Sequence, residues 1–319
     1  SEENMVIWGV TAFNHDTSIA VIEDNNLKFY EHVRGKDIDP KLAQRAIRST
    51  HAGPSVIAWF ERPWVKKTRQ AYAGQWDAVR DMSVLPSAWA KQCSVDYAKI
   101  VTHPHHKSHA AAGFFTSPFD EATVVVVDAI GEWDTATIWH GKDGELKKMW
   151  SSSYPNSIGL FYSAFTKLLG FTPIKEEYKL QQLAEHGNAS RFYDRVNSYF
   201  KYPTVLRTSL HRGVWDWEQP NEKDRADIAA AVQAVFSKQI DWIMTRAYSE
   251  TRCSNLVYVG GCAMNSEYNK KLYQMWDQVY SIPNPGDPMS AIGAALLTSN
   301  TRTQLNGKEV KHLELKVLD

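Results

Sequence analysis

One pattern of segments occurs twice in this chain, and a duplicated strand–loop–strand–turn–strand unit can fold in few ways. In the first copy Met5 to Ala12 is an apolar run, followed by Asn14-His15-Asp16-Thr17-Ser18. A second run, Ile19 to Ile22, enters the turn Glu23-Asp24-Asn25-Asn26 and then a third strand, Leu27 to Val33. The same order returns as Thr123 to Ile130, Gly131 to Asp134, Thr135 to His140, Gly141 to Gly144 and Glu145 to Trp150. Strands joined by a short polar Asp/Asn turn read as hairpins. Asp16-Thr17 aligns with Asp134-Thr135. The expectation is two similar α/β halves facing one another, residues 1–120 and 121–319.

The rest of the chain supplies helices to cover such sheets. Tyr162 to Leu169 and Glu176 to His186 are short amphipathic runs, with Gly170 and Gly187 near their ends. Ile228, Val232, Val235, Ile240 and Ile243 recur at helical spacing, which predicts a long helix over Asp224 to Arg246. Leu256 to Val259 reads as a buried strand ended by Gly260-Gly261, with a helix from Asn265 to Trp276. Val279 to Ile282 reads as another strand. The loop Pro283 to Asp287 then leads into a small-residue helix, Met289 to Leu297. Pro203 to Pro220 is irregular and reads as a site flap or a packed connection.

Composition narrows the class. A chain of 319 residues buries enough apolar surface to fold without disulfides. Its 36 basic and 36 acidic side chains balance, which argues against non-specific nucleic-acid binding. No apolar run approaches the ~20 residues of a membrane span, and the first thirty residues hold no signal-peptide core. Cys93, Cys253 and Cys262 are odd in number and lack CxxC spacing, which suits a reducing cytoplasm.

Four histidines fall close together: His103, His105, His106 and His109. If Ala110-Ala111-Ala112 continues a helix begun near Pro104, His105 and His109 share one face at i, i+4. That spacing lets two imidazoles hold one metal, although a solvated polar helix start has the same pattern. The zinc-protease motif would need Glu beside the first histidine, where His106 stands. Asp287 could complete a metal site, and followed by Pro288 it is equally a helix cap. Asp16-Thr17-Ser18 and Gly131-Glu132-Trp133-Asp134-Thr135 could cradle phosphate or be ordinary turns. Gly260-Gly261, between strand and helix, offers close backbone approach to a nucleotide.

Taken in order, these segments resemble the NodU/CmcH-type O-carbamoyltransferases. The resemblance lies in His15-Asp16-Thr17-Ser18, His105-His106-x-x-His109-Ala110 and Val126-Val127-Asp128-x-x-Gly131-Glu132. It continues in Gly260-Gly261-x-x-x-Asn265 and in Gly286-Asp287 followed by Ile292-Gly293-Ala294-Ala295. Ala58 to Pro63, Ser157 to Tyr162, Glu177 to Leu180 and Asp227 to Gln233 support it. It implies a duplicated actin- and sugar-kinase-like (ribonuclease-H-like) fold, shared with the tRNA threonylcarbamoyl-transfer proteins. It also implies His105, His109 and Asp287 as ligands of a divalent metal, usually Fe2+, and His15 as the histidine of the transfer step. Asp128, Gly131 and Glu132, and with them Asp16, fall on the phosphate or nucleotide loops, and Gly260, Gly261 and Asn265 on the nucleotide-cradling turn.

Departures from the family pattern shape the functional expectation. Asp128-Ala129 replaces the usual Asp-Gly, and Lys179-Leu180-Gln181-Gln182-Leu183-Ala184 carries bulky polar residues where a glycine is usual. The family's second domain, which forms carbamoyl-adenylate from carbamoyl phosphate and ATP, has no counterpart before Asp319. Direct use of carbamoyl phosphate is therefore the first expectation, with a partner-supplied domain, a truncated chain and a requirement for ATP as alternatives. Lys179 is the candidate for holding the leaving phosphate. The acceptor is a hydroxyl, on a small molecule, a sugar, or a hydroxymethylated base such as 5-hydroxymethylcytosine in DNA. For the DNA case Lys66, Lys67, Arg69 and exposed tryptophans would serve contact and stacking. Rival readings are a kinase of the same fold, a non-catalytic nucleotide-binding subunit and a non-haem iron oxygenase; a homo-oligomer is left open.

Overall fold

The duplicated pattern builds two sheets of the same topology. β1 (Val6–Thr11), β2 (Asp16–Glu23) and β3 (Asn26–Arg34) form an antiparallel meander. β4 (Val56–Trp59) and β5 (Lys99–Thr102) add in parallel beyond β1, in the order β3-β2-β1-β4-β5. The second sheet begins with the meander β6 (Glu121–Gly131), β7 (Asp134–Lys142) and β8 (Glu145–Ser153). After a small hairpin of β9 (Phe200–Tyr202) and β10 (Val205–Leu206), β11 (Asn255–Val259) and β12 (Gln278–Tyr280) add in parallel. The resulting order is β8-β7-β6-β11-β12. Strand for strand, the second sheet repeats the first. The computed structural model describes residues 5–305 and the backbone of 316–318. That last segment, β13 (Lys316–Leu318), pairs in parallel with β3; the remainder of the tail expected in the second half lies outside the described residues.

Both meanders close through two-residue turns, Asp24-Asn25 and Asp143-Gly144. All four residues have positive φ, from 52° to 75°. Such turns match the right-handed twist of the strands, and Asp, Asn and Gly tolerate the left-handed region they require.

Alternation along β6 separates two cores. Val124 and Val126 face the core shared with the first sheet, whereas Val125 and Val127 face the helices on the outer side. That outer layer contains the Ile158–Leu168 helix and the thirty-residue Glu222–Thr251 helix, capped by the Asn221 side chain. The long helix runs past Arg246 because Ala247 and Thr251 are still buried.

Between the sheets lie two helices, His105–Phe114 and Ser290–Ser299, packed on each other. Their approach leaves no room for a side chain at Gly293, where a Cβ would stand 1.9 Å from the Ser108 carbonyl oxygen. The helices are exchanged between halves. His105–Phe114 follows β5 but lies against β6 and β11, while Ser290–Ser299 follows β12 but lies against β1, β2 and β4. A cut at residue 120 parts the two meanders, but it separates β13 from the sheet it joins and each inner helix from the strands it covers.

Two further expectations differ in detail. The Asn265 to Trp276 helix is two short pieces, Ser266–Asn269 and Leu272–Met275, after a turn of 3-10 helix at Gly261–Met264. The Asn269 side chain donates to the Ala263 carbonyl at 2.7 Å, one of the local bonds that compete with a continuous helix. The Pro203 to Pro220 segment is a packed connection at Trp217. That ring lies 5.6 Å from Phe165 with the Arg195 guanidinium 3.7 Å over it, whereas Trp215 is 77% exposed.

Candidate metal centre

In open α/β sheets, functional groups gather beyond the carboxyl ends of the strands. Here Asn14 follows β1, Glu61 follows β4, and His105 begins the helix after β5. From the second sheet come Asp128 near the end of β6, Gly260-Gly261 after β11 and Asp287 after β12. The group lies where the exchanged helices begin.

His105, His109, Asp128 and Asp287 each offer one ligand atom, and these atoms all lie within 4.8 Å of one another. Asp287 Oδ1 is 2.9 Å from His109 Nε2 and 3.2 Å from His105 Nε2. Asp128 Oδ2 is 3.3 Å from His105 Nε2 and 3.7 Å from His109 Nε2, yet it is buried without a hydrogen bond. Each imidazole is held from behind at Nδ1, His105 by Glu61 Oε1 at 2.9 Å and His109 by the Ser290 hydroxyl at 3.1 Å. Both Nε2 atoms are thereby turned inward, as metal-ligating histidines are oriented by outer partners. His106 serves the carboxylate instead: its Nε2 is 2.9 Å from Asp128 Oδ1 and its Nδ1 2.8 Å from the Thr137 hydroxyl.

The charges of these groups depend on one another. Burial alone would raise the Asp128 and Asp287 carboxyls, but the neighbouring histidines hold both below the usual carboxylate range. Burial would likewise lower His105, yet Asp287, Asp128 and Glu61 push it well above the ordinary histidine value. Burial keeps His109 low. Two imidazoles and two carboxylates, one with an orphaned buried oxygen, are a donor set that fits a divalent transition metal.

Asp128, expected from the resemblance in a phosphate or nucleotide loop, thus stands beside the expected ligands His105, His109 and Asp287. The Gly131 backbone passes close behind, where a Cβ would come within 2.7 Å of both the His105 and His106 rings. Glu132 turns inward and clamps the halves together. Arg62 holds it through its backbone N–H at 2.6 Å and its guanidinium at 3.0 Å, and the His105 amide donates to it at 3.3 Å. Asp16 faces β3, accepting from the Gly35 amide at 2.9 Å and lying 2.8 Å from His32 Nε2. His15 is exposed in left-handed backbone (φ 68°), beside Asn14, whose amide donates to Asp287 Oδ2 at 3.0 Å. Gly260 has φ 96°, and a side chain at Gly261 would meet open space. Asn265 is buried, capping Tyr268 and exchanging hydrogen bonds with Gln233. Lys179 pairs with Glu176 near the start of its helix.

The basic run turns inward, correcting the expectation of a basic contact surface. Lys66 Nζ bonds Glu61 at 3.0 Å, and Lys67 Nζ caps the carbonyls of Ala78 and Asp81 at 2.8 Å each. Arg69 bonds the Glu132 carbonyl and the Gln75 side chain. Sequence reasoning assigned no role to Asn14, Glu61, His106 or Ser290, and gave Lys66 only a nucleic-acid contact; the available signal was their position beyond strand ends or within the histidine helix.

Fold and site together define a two-lobed protein of the actin- and sugar-kinase-like class with a buried histidine–carboxylate group. Solved structures support the fold. The dehydratase component A of (R)-2-hydroxyglutaryl-CoA dehydratase from Acidaminococcus fermentans matches at TM-score 0.51 and 14% identity, over 92% of this chain and 97% of that one. Full-length HypF in its phosphate- and nucleotide-bound form also matches at 0.51 and 14%, over 94% of this chain and 47% of that one. The model of the carbamoyltransferase N-terminus family matches residues 61–296, and the chain belongs to that family. An uncharacterized protein of Synechocystis is 31% identical over 91% of this chain and 56% of its own length. Nodulation protein NolNO of Sinorhizobium fredii is 26% identical over 67% of this chain and 33% of its own. The chain thus spans from about a third to just over half of these curated relatives.

Proposed function

We propose that this chain is the transfer module of an O-carbamoyltransferase, moving a carbamoyl group from carbamoyl phosphate, or carbamoyl-adenylate, to an acceptor hydroxyl. The convergence of His105, His109, Asp128 and Asp287, in a member of the carbamoyltransferase N-terminus family, carries the reading. These four residues would hold the metal, Fe2+ by the family's habit. When bound, such an ion supplies a Lewis acid for a donor oxygen. The protein's own groups do the rest. Glu61 and Ser290 keep the Nδ1 sides of the ligands occupied. Exposed His15 receives the acceptor's proton on a ring nitrogen as the new O–C bond forms and the bond to the leaving phosphate breaks. The Gly260-Gly261 turn receives donor phosphate or nucleotide, in keeping with the nucleotide-bound state in which HypF was solved. Lys179 would take up phosphate by exchanging its Glu176 partner.

The proposed division at residue 120 falls between the two meanders, with the inner helices exchanged across it. A cytoplasmic setting suits the three unpaired cysteines, and among the described residues no helix is long and apolar enough to cross a membrane. Among acceptors, a hydroxymethylated base in DNA keeps only the exposed Trp64, Trp76 and Trp215 in its favour, since the basic run is bound internally. Small-molecule and sugar hydroxyls are therefore the leading class. Mass spectrometry of sugar, small-molecule and hydroxymethylcytosine-DNA acceptors, incubated with carbamoyl phosphate with and without ATP, tests this. A carbamoyl mass increment on a hydroxyl supports transfer; a phosphoryl increment from ATP points to a kinase instead.

A further inference from the structure

Behind the candidate ligands, hydrogen bonds close into a ring. Asp287 Oδ2 accepts from Asn14 Nδ2 at 3.0 Å, and Asn14 Oδ1 accepts from Lys66 Nζ at 3.4 Å. Lys66 Nζ also donates to Glu61 Oε2 at 3.0 Å, and Glu61 Oε1 meets His105 Nδ1 at 2.9 Å. His105 Nε2 returns to Asp287 Oδ1 at 3.2 Å. The ring joins the loop after β1, the residues after β4, the histidine helix and the turn before Ser290–Ser299. It therefore ties a ligand of the first sheet to a ligand of the second.

Lys66 is its node. Pro63 starts the Pro63–Tyr72 helix immediately after Glu61-Arg62, and the first turn swings Lys66 back over Glu61. Among the described residues Lys66 is the one Lys or Arg paired with Glu61, whose side chain is 8% exposed. Taking away one partner of a buried pair leaves the other charge uncompensated, a far larger loss than a surface contact. Here that charge is the group orienting His105.

We infer that Lys66, acting through Glu61 and Asn14, is a positioning residue that sets the metal affinity of His105 and Asp287. The inference rests on the metal reading above and adds a group outside the ligand set. Removing an outer partner of a metal ligand weakens metal binding by about 10–100-fold.

Competition titration of the purified chain with Co2+, read by its visible absorption, is the test. Lys66→Met should weaken Co2+ binding about 10–100-fold and alter the absorption band, with Lys66→Arg recovering most of the affinity. Glu61→Gln combined with Lys66→Met should lose less affinity than the two single losses summed, because the two residues share the path to His105. Wild-type affinity in Lys66→Met, or losses that simply add in the double variant, overturns the role given to Lys66. If Lys66→Met does not fold, Lys66→Gln takes its place under the same criteria. A wild-type chain that takes up neither Co2+ nor Fe2+ overturns the metal reading itself, and the ring's function with it.

Discussion

The segments that follow the last strand of each sheet occupy equivalent places and have opposite chemistry. After β5 the chain enters the helix His105–Phe114, whose first two turns carry three histidines. After β12 it passes through Asp287 into Ser290–Ser299, a helix of Ser, Ala, Ile, Gly, Leu and Thr. Repetition dictated where the donors stand, and divergence dictated what they are. One copy presents imidazole nitrogens, the other a carboxylate and a surface small enough to let the helices touch at Gly293. Neither copy holds all four of the converging residues His105, His109, Asp128 and Asp287, so the group is a property of the pair.

The comparison breaks first if one side suffices. His105→Ala, His109→Ala and Asp287→Ala should each abolish stoichiometric metal retention, measured by elemental analysis on folded protein. Full occupancy in Asp287→Ala would return that residue to capping. Next in size is His15, in the loop between β1 and β2. His15→Asn should cost ~10²–10⁴-fold in transfer rate while metal content is unchanged; wild-type turnover would place the base elsewhere. The small-residue face is tested by Gly293→Val, which must push the helices apart at a cost of about 1–3 kcal/mol or more, read by chemical denaturation. An unchanged midpoint would mean the helix contact is loose.

The smallest effect separates the two copies of the hairpin entrance, where Asp16 faces His32 and Asp134 faces Lys148. Burial would raise the Asp16 carboxyl, but the His32 contact and the Gly35 amide bring it below its ordinary value. A carboxyl lowered on folding contributes stability above its unfolded value, and that contribution is lost as pH falls through the folded value. Asp16→Asn should therefore cost less than about 1 kcal/mol at neutral pH and nothing in strong acid, measured by denaturation across pH. A cost that persists below pH 2 would assign Asp16 a role independent of charge.

Much of this architecture was readable because it is local. Alternating apolar runs marked the meanders, and Asp24-Asn25 and Asp143-Gly144 announced their turns. The i, i+4 spacing of His105 and His109 needed only helical geometry. The partners of these residues were not readable, because they arrive from far along the chain. Glu61 reaches His105 from just beyond β4, and Ser290 reaches His109 from the first turn of the other inner helix. The basic run misled for the same reason: nothing in Lys66-Lys67-Thr68-Arg69 says that its cations end on Glu61, two carbonyls and the Glu132 backbone.

Helix exchange also governs the order in which the chain can acquire its structure. During synthesis the strands of the first sheet emerge early, yet the helix lying against β1, β2 and β4 is Ser290–Ser299. Its own histidine helix meanwhile waits for β6 and β11. Contacts so distant in sequence form slowly and leave apolar surface uncovered in the meantime. The nascent first lobe is thus the stage most in need of a chaperone, and a chain cut between the lobes yields two fragments that each lack a wall.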